Sequence, residues 1–114
     1  MRLSITGEMT MTEFCQLILT CASKAEADKI TDKLLGEHLV ACVRQMSVKS
    51  KYHWQGKIED ADEIMLIMES RMDLFDKVEA EVAKLHSYDT FMLEALPIEK
   101  TSAGVAKWIK EETK

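Results

Sequence analysis

The stretch from Ala41 to Ser70 constrains the fold more than any other part of this 114-residue chain. Its first half alternates apolar with polar residues, the apolar members being Met46, Val48, Tyr52 and Trp54. Its second half is apolar at every position from Ile64 to Met68. Alternation is typical of a strand with unlike faces, and a continuous apolar run is typical of a strand covered on both sides. With Gln55-Gly56-Lys57 as the turn between them, the stretch predicts a long two-stranded hairpin.

The length and composition indicate one globular domain, because 46% of the residues are hydrophobic and 31% are charged. We expect the domain to span residues 14–114, after a flexible tail over residues 1–13 that lacks the apolar region of a signal peptide. No apolar run approaches the roughly 20 residues of a membrane span. We therefore expect a cytoplasmic protein without a membrane partner.

The charge pattern and the cysteines exclude further classes of protein. The net charge is −5, and acidic and basic residues are mixed along the chain, so no basic stripe is available for a nucleic-acid partner. The three cysteines, Cys15, Cys21 and Cys42, are an odd number without an export signal, which favours reduced thiols. We find no glycine-rich phosphate loop, nucleophile elbow or zinc-protease motif, so we expect no enzymatic activity.

The segments around the hairpin alternate between strand and helix patterns. The apolar run Leu17 to Leu19 predicts a strand, and Ser23 to Glu26 has the spacing of a capping box that begins a helix ending near Gly36. A second helix follows the hairpin and carries Leu74, Val78, Val82 and Leu85 on one face. The pattern of residues 91–99 predicts a further strand, and Pro97 indicates that this strand lies at a sheet edge. A short helix that carries Val105, Trp108 and Ile109 on one face is predicted after it.

This βαββαβ order, with a helix at the end, predicts an α+β fold of the ferredoxin-like sandwich type. In its antiparallel sheet, the first and third strands are central. The segment from Ala41 to Trp54 has 14 residues, and about 46 Å of extended chain is far more than a common strand needs. The hairpin therefore protrudes beyond the sheet, and its open edges and exposed aromatic residues predict pairing with another subunit.

Several segments of the chain resemble the CutA family, the divalent-cation-tolerance proteins. Leu39 to Val43 is similar to the family segment Leu-Ala-Ala-Cys-Val, and Tyr52 to Glu59 is similar to its Tyr-x-Trp-x-Gly-Lys-Ile-Glu hairpin. Ala95 to Ile98 and Trp108 extend the resemblance from about Phe14 to the C-terminus. The resemblance implies a homotrimer with interlocking hairpins, similar to the nitrogen-regulatory PII proteins. It also implies binding of copper or another divalent cation, with Cys42 and His86 as metal ligands.

Three segments depart from the family pattern. The family sequence His-Pro-Tyr-Glu-Val-Pro-Glu reads here as His86 to Met92, so that Met92 replaces the second glutamate. Val105 replaces the aromatic residue three positions before Trp108, and Thr101 to Ala103 replace Gly-Asn-Pro. These departures predict a changed pocket in an unchanged architecture.

Each candidate residue also has a structural interpretation. Cys42 has the small size and burial preference of a core residue, and His86 can cap a helix through the terminal carbonyls. Two interpretations are open for five further side chains, which either line a ligand cleft between subunits or serve only packing and solvation: Tyr52, Trp54, Lys57, Tyr88 and Trp108. The eight methionines form no Met-x-x-Met cluster, and core packing explains most of them.

The leading functional hypothesis is a non-enzymatic trimer that binds copper or divalent ions weakly and contributes to metal tolerance. The alternative is a PII-like sensor or scaffold that binds a small anionic metabolite or a partner peptide between subunits. Loss of the family's metal-type residues in an intact trimer would favour the alternative.

Overall fold

The computed structural model describes residues 12–114, and its elements follow the predicted order. Most of the predicted tail, residues 1–11, lies outside the described residues. The elements are β1 (Phe14–Cys21), α1 (Lys24–Gly36), β2 (Cys42–Trp54), β3 (Lys57–Arg71), a 3-10 turn (Met72–Leu74), α2 (Phe75–Leu85), β4 (Leu93–Pro97) and α3 (Ala103–Glu112). In this part of the chain, no helix is both long enough and apolar enough to cross a membrane.

The four strands form one antiparallel sheet in the order β2-β3-β1-β4. The two most apolar strands, β1 and β3, are central, and Pro97 ends the edge strand β4, where its missing N–H costs no ladder bond. This topology confirms the predicted ferredoxin-like α+β fold with a C-terminal helix.

The core lies between one face of the sheet and the helices α1 and α2. Burial alternates along β1, which buries Cys15, Leu17, Leu19 and Cys21 on this face. The predicted apolar stripes of the helices meet them, with Ala27, Ile30, Leu34, Val78 and Val82 buried. Burial of each large aliphatic side chain contributes about 1.5–3 kcal/mol. The apolar stripe on α2 is not buried along its whole length, because Leu85 at its end remains 37% exposed.

The opposite face of the sheet is less covered than the sequence predicts. On β3, Leu66 and Met68 are buried beneath the helices, whereas Met65 and Ile67, which point the other way, are half-buried. Met46, which pairs with Met65 across β2 and β3, is 42% exposed. Residues 12–114 therefore cover this face only in part.

The hairpin protrudes as predicted. The last pair between β1 and β3 is Cys21 with Ile64, whereas β2 and β3 continue for seven further pairs, to Trp54 with Lys57. Seven residues extend about 23 Å. Gln55 and Gly56 have φ values of 50° and 80°, which are typical of a two-residue type I′ turn.

Candidate functional site at the end of strand β1

Strand β1 ends beside the first turn of α1, and this junction supplies the first groups of the site. Ser23 is the N-cap of α1, and its Oγ accepts a hydrogen bond from the Glu26 N–H at 3.2 Å. The Glu26 carboxylate turns back and accepts a bond from the Ala22 N–H at 2.8 Å. The predicted capping box therefore forms, with its carboxylate bound one residue before the N-cap.

The second group is the His86 imidazole, which follows the end of α2 and has no exposed surface in the described chain. Its Nδ1 lies 3.0 Å from the Tyr88 backbone nitrogen, and its Nε2 lies 2.8 Å from the Thr20 carbonyl oxygen. Because a backbone N–H donates and a carbonyl oxygen accepts, Nδ1 is the acceptor and Nε2 carries the proton. His86 is thus a neutral imidazole that binds β1 rather than the terminal carbonyls of α2.

Glu26 joins the two segments. Its Oε1 accepts a bond from the Ser87 N–H at 2.7 Å, and its Oε2 lies 3.7 Å from Nε2 of His86. Burial disfavours the ionised carboxylate, but the N–H groups of Ala22 and Ser87 outweigh burial and hold the pKa of Glu26 below its usual value. An ionised carboxylate therefore lies in the interior at neutral pH.

Cys21 adds a thiol to this junction. Its side chain is fully buried, and its Sγ, a Glu26 carboxylate oxygen and a His86 ring nitrogen all lie within 4.8 Å of one another. Burial, followed by the negative charges of Glu26 and Glu63, raises the pKa of the thiol to about 12. Thiolate, carboxylate and imidazole are the donors that zinc and other thiophilic ions use. We call Cys21, Glu26 and His86 the β1-end cluster.

Tyr88 extends the site toward the hairpin. Its hydroxyl donates to a carboxylate oxygen of Glu63 at 3.1 Å, and Glu63 is only 6% exposed. Burial, followed by this bond, raises the pKa of Tyr88 to about 12. The His86 ring lies 5.0 Å from the ring of Tyr88 and stacks on Phe91 at 5.2 Å. The segment after α2 is thereby held against the end of β1 and the middle of β3.

Cys42, the predicted partner of His86 in a metal site, lies elsewhere on the sheet. It pairs with Glu69, which in turn pairs with Gln16 on β1, whereas His86 binds Thr20. Thr20 lies four positions after Gln16, which is about 13 Å along the strand. Burial raises the pKa of the half-buried Cys42 thiol, although the nearby Arg44 opposes the effect. One chain therefore does not bring Cys42 and His86 together.

One chain brings only some of the predicted cleft residues together. Tyr52 and Trp54 are 40% and 49% exposed, and Trp54 and Lys57 face each other at the hairpin tip. Tyr88 lies near the end of β1, and the nearby Tyr52 helps to raise its pKa. Trp108 belongs to α3, which is joined to the start of β1 by an ion pair of 3.7 Å between Lys110 and Glu13. A common cleft for these aromatic residues requires more than one chain.

Two open cavities flank the sheet. A cavity of about 590 Å³ near the end of β4 is lined by Gln16, Glu69, Pro97, Ile98, Glu99, Lys100, Thr101 and Val105. A second, of about 540 Å³, lies between the start of α1 and the hairpin, beside Glu63. The first contains Val105, the position at which the family pattern has an aromatic residue.

The fold and the hairpin together define a ferredoxin-like α+β protein with a protruding strand pair. The family model for the CutA1 divalent ion tolerance protein matches residues 15–112. The chain therefore belongs to the CutA family of divalent-cation-tolerance proteins.

Relatives from archaea support this assignment. The divalent-cation tolerance protein CutA of Archaeoglobus fulgidus is 39% identical over 95 residues, which cover 83% of this chain and 93% of the relative. The Pyrococcus horikoshii protein of the same name is 33% identical over 88 residues, covering 77% and 86%. A solved structure described as the periplasmic divalent cation tolerance protein CutA of A. fulgidus superposes with a TM-score of 0.86 at 37% identity, covering 89% of this chain and 99% of that one. The cytoplasmic location of this chain stays a prediction.

The sequence did not identify three of the site's groups. Cys21 was predicted only to be a reduced thiol, Glu26 only to be a capping residue, and Glu63 was not singled out. No local spacing reveals the cluster, since Glu26 and Ser87 are 61 positions apart. Only the packing of α2 beside α1 brings them together.

Proposed function

We propose that this protein is a non-enzymatic homotrimer that binds copper or another divalent cation weakly and contributes to metal tolerance. Its membership of the divalent-ion-tolerance family is the observation that carries the functional part. The trimer and the bound metal are proposals for this chain.

The protruding hairpin supports the proposed trimer. Seven strand pairs extend past β1, and Tyr52, Trp54 and Ile58 are 40%, 49% and 70% exposed along them. A pair of strands without further support is marginal in water. Neighbouring subunits would cover these side chains and the half-buried face around Met65. The resemblance to the family implies three such subunits with interlocking hairpins.

Cys42 and His86 remain candidate ligands. Because they are far apart in one chain, they would have to act at separate sites or meet across a subunit boundary. Isothermal titration with Cu(I), Cu(II) and Zn(II) tests this on the wild type, Cys42→Ala and His86→Ala. We expect the wild type to bind and the variants to bind more weakly. Identical binding in all three proteins would remove both residues as ligands, and no binding by the wild type would overturn the metal-binding proposal.

A second candidate function is binding of a small anionic metabolite or a partner peptide, as in a PII-like sensor. The cavity of about 590 Å³ offers room for such a ligand, with Lys100 and Thr101 as donors beside the carboxylates of Glu69 and Glu99. A Thermofluor screen against nucleotides and carboxylates, with Lys100→Ala as the matched variant, tests it. Stabilisation of the wild type alone is expected, and no stabilisation by any compound would count against it.

A further inference from the structure

We infer that the cavity of about 590 Å³ near the end of β4 binds a small zwitterion, either a free amino acid or a short peptide. The ammonium group of this ligand binds Glu69, and its carboxylate binds Lys100 and Thr101. The inference rests on the second candidate function, ligand binding in this cavity, and changes the ligand from an anion to a zwitterion. The cavity has the size of a common small-molecule site, about 300–1,000 Å³.

Glu69 places a fixed carboxylate at one side of the cavity. The residue is only 7% exposed and lines the cavity. Its Oε1 accepts a hydrogen bond from Nη1 of Arg44 at 2.6 Å, and its Oε2 accepts one from Nε2 of Gln16 at 3.0 Å. The Cys42 thiol also donates to this carboxylate. A carboxylate has about four lone-pair sites, so that one acceptor site, already held in place, is open to an N–H group of a ligand.

Lys100 and Thr101 supply donors at the other side of the cavity. Strand β1 lies between β3, which carries Glu69, and β4, which leads to Lys100. Two strand spacings amount to about 10 Å, and the flexible lysine side chain can shorten that distance. Within residues 12–114, Lys100 forms no ion pair. The cavity therefore presents an acceptor and a cationic donor on opposite sides of β1.

The balance of charges favours a ligand that carries both signs. The wall contains the carboxylates of Glu69 and Glu99 and the ammonium of Lys100, and the Arg44 guanidinium forms an ion pair of 2.6 Å with Glu69. These four charges cancel. A zwitterion preserves the balance, whereas a net anion adds negative charge beside two carboxylates, and like charges in one site are unfavourable.

The apolar part of the wall favours an apolar body for the ligand. Pro97, Ile98 and Val105 form this part. Val105 stands where the family pattern has an aromatic residue, and a larger ring at this position would take up space in the cavity. An aliphatic side chain such as that of leucine can be removed from water here.

Isothermal titration with L-leucine, its N-acetyl derivative and its amide tests the charge requirement. The three compounds share one apolar body and are a zwitterion, an anion and a cation. We expect leucine to bind and each derivative to bind about tenfold more weakly, because each loses one charge-assisted hydrogen bond. Titration with leucylleucine separates the two sources of the ligand: tighter binding of the dipeptide indicates a peptide, and tighter binding of leucine indicates a free amino acid.

Variants of the whole chain locate the bound ligand. Lys100→Ala and Val105→Phe should each lower the affinity for leucine about tenfold, the first by removing the partner of the carboxylate and the second by filling the cavity. Lys107→Ala is the matched control, because Lys107 is an exposed lysine that pairs with Glu111 on α3, and it should bind leucine as the wild type does. Glu69→Gln should weaken binding of leucine and leave binding of N-acetyl-leucine unchanged.

The outcomes separate this inference from the function on which it rests. Equal binding of leucine and N-acetyl-leucine would overturn the zwitterion and leave the second candidate function intact, and equal binding of leucine and its amide would overturn the role of the carboxylate. No binding of any of these compounds would refute the inference, and no stabilisation in the Thermofluor screen would refute the second candidate function as well. NMR shift mapping of the unmutated protein with leucine avoids any folding defect of the variants. Shifts centred on Gln16, Lys100 and Thr101 are expected, and shifts confined to other parts of the chain would refute the assignment.

Discussion

Replacing Trp54 by alanine should weaken assembly of the proposed trimer. Trp54 is 49% exposed at the hairpin tip, so about 100 Å² of its roughly 200 Å² is available to a neighbouring subunit. At about 25 cal/mol per Å², covering that area stabilises the assembly by about 2.5 kcal/mol per subunit. This corresponds to roughly a 60-fold change in affinity for each subunit. Sedimentation velocity over a dilution series should detect the shift toward monomer or aggregate.

Leu85→Ala is the matched control for this experiment. Leu85 is an exposed apolar residue at 37%, but it lies at the end of α2 rather than on the hairpin. We expect it to leave the dissociation profile of the wild type unchanged. A Trp54→Ala protein that remains a clean trimer at the same dilution as the wild type would refute the role of the hairpin tip.

Three further predictions concern the surroundings of the site. Ser23→Ala should lower the free energy of unfolding by about 1 kcal/mol in urea denaturation, because an N-cap bond is lost; Ser102→Ala, at an N-cap without a side-chain bond, should have little effect, and equal losses would contradict the capping argument. The pKa of Tyr88 is raised to about 12, so its hydroxyl stabilises the fold fully below about pH 10 and the contribution is lost as the pH rises toward the folded pKa. The difference in unfolding free energy between wild type and Tyr88→Phe should therefore shrink over that range, and a constant difference would count against it. Iodoacetamide should label Cys42 before the fully buried Cys21, as read by peptide mass spectrometry; labelling of Cys21 first would show that the interior is open.

The sequence predicted the sheet well because its patterns are local. The apolar run from Ile64 to Met68 indicated a central strand, and β3 is central. Pro97 indicated an edge, and β4 is an edge strand. The same patterns could not say what covers the second face of β3, because alternation shows only that a face is apolar. Within residues 12–114, Met65 and Ile67 are only half-buried.

The site was harder to predict than the fold, because its contacts join distant positions. The capping-box spacing indicated the bond from Glu26 N–H to Ser23, which forms. It did not indicate that the Glu26 carboxylate would also accept a bond from Ser87 across the domain. His86 was predicted as a ligand or a helix cap, and its bond to Thr20 depends on where α2 ends against β1. These contacts of Glu26 and His86 depend on how the helices pack, and the local sequence pattern does not predict them.

Native mass spectrometry of the wild-type chain with Cd(II) tests the central claim, a cation-binding trimer, most directly. We predict a particle of three chains, each of 13.0 kDa, that carries bound cadmium. A particle of one chain, or a trimer without bound cadmium, would contradict the account.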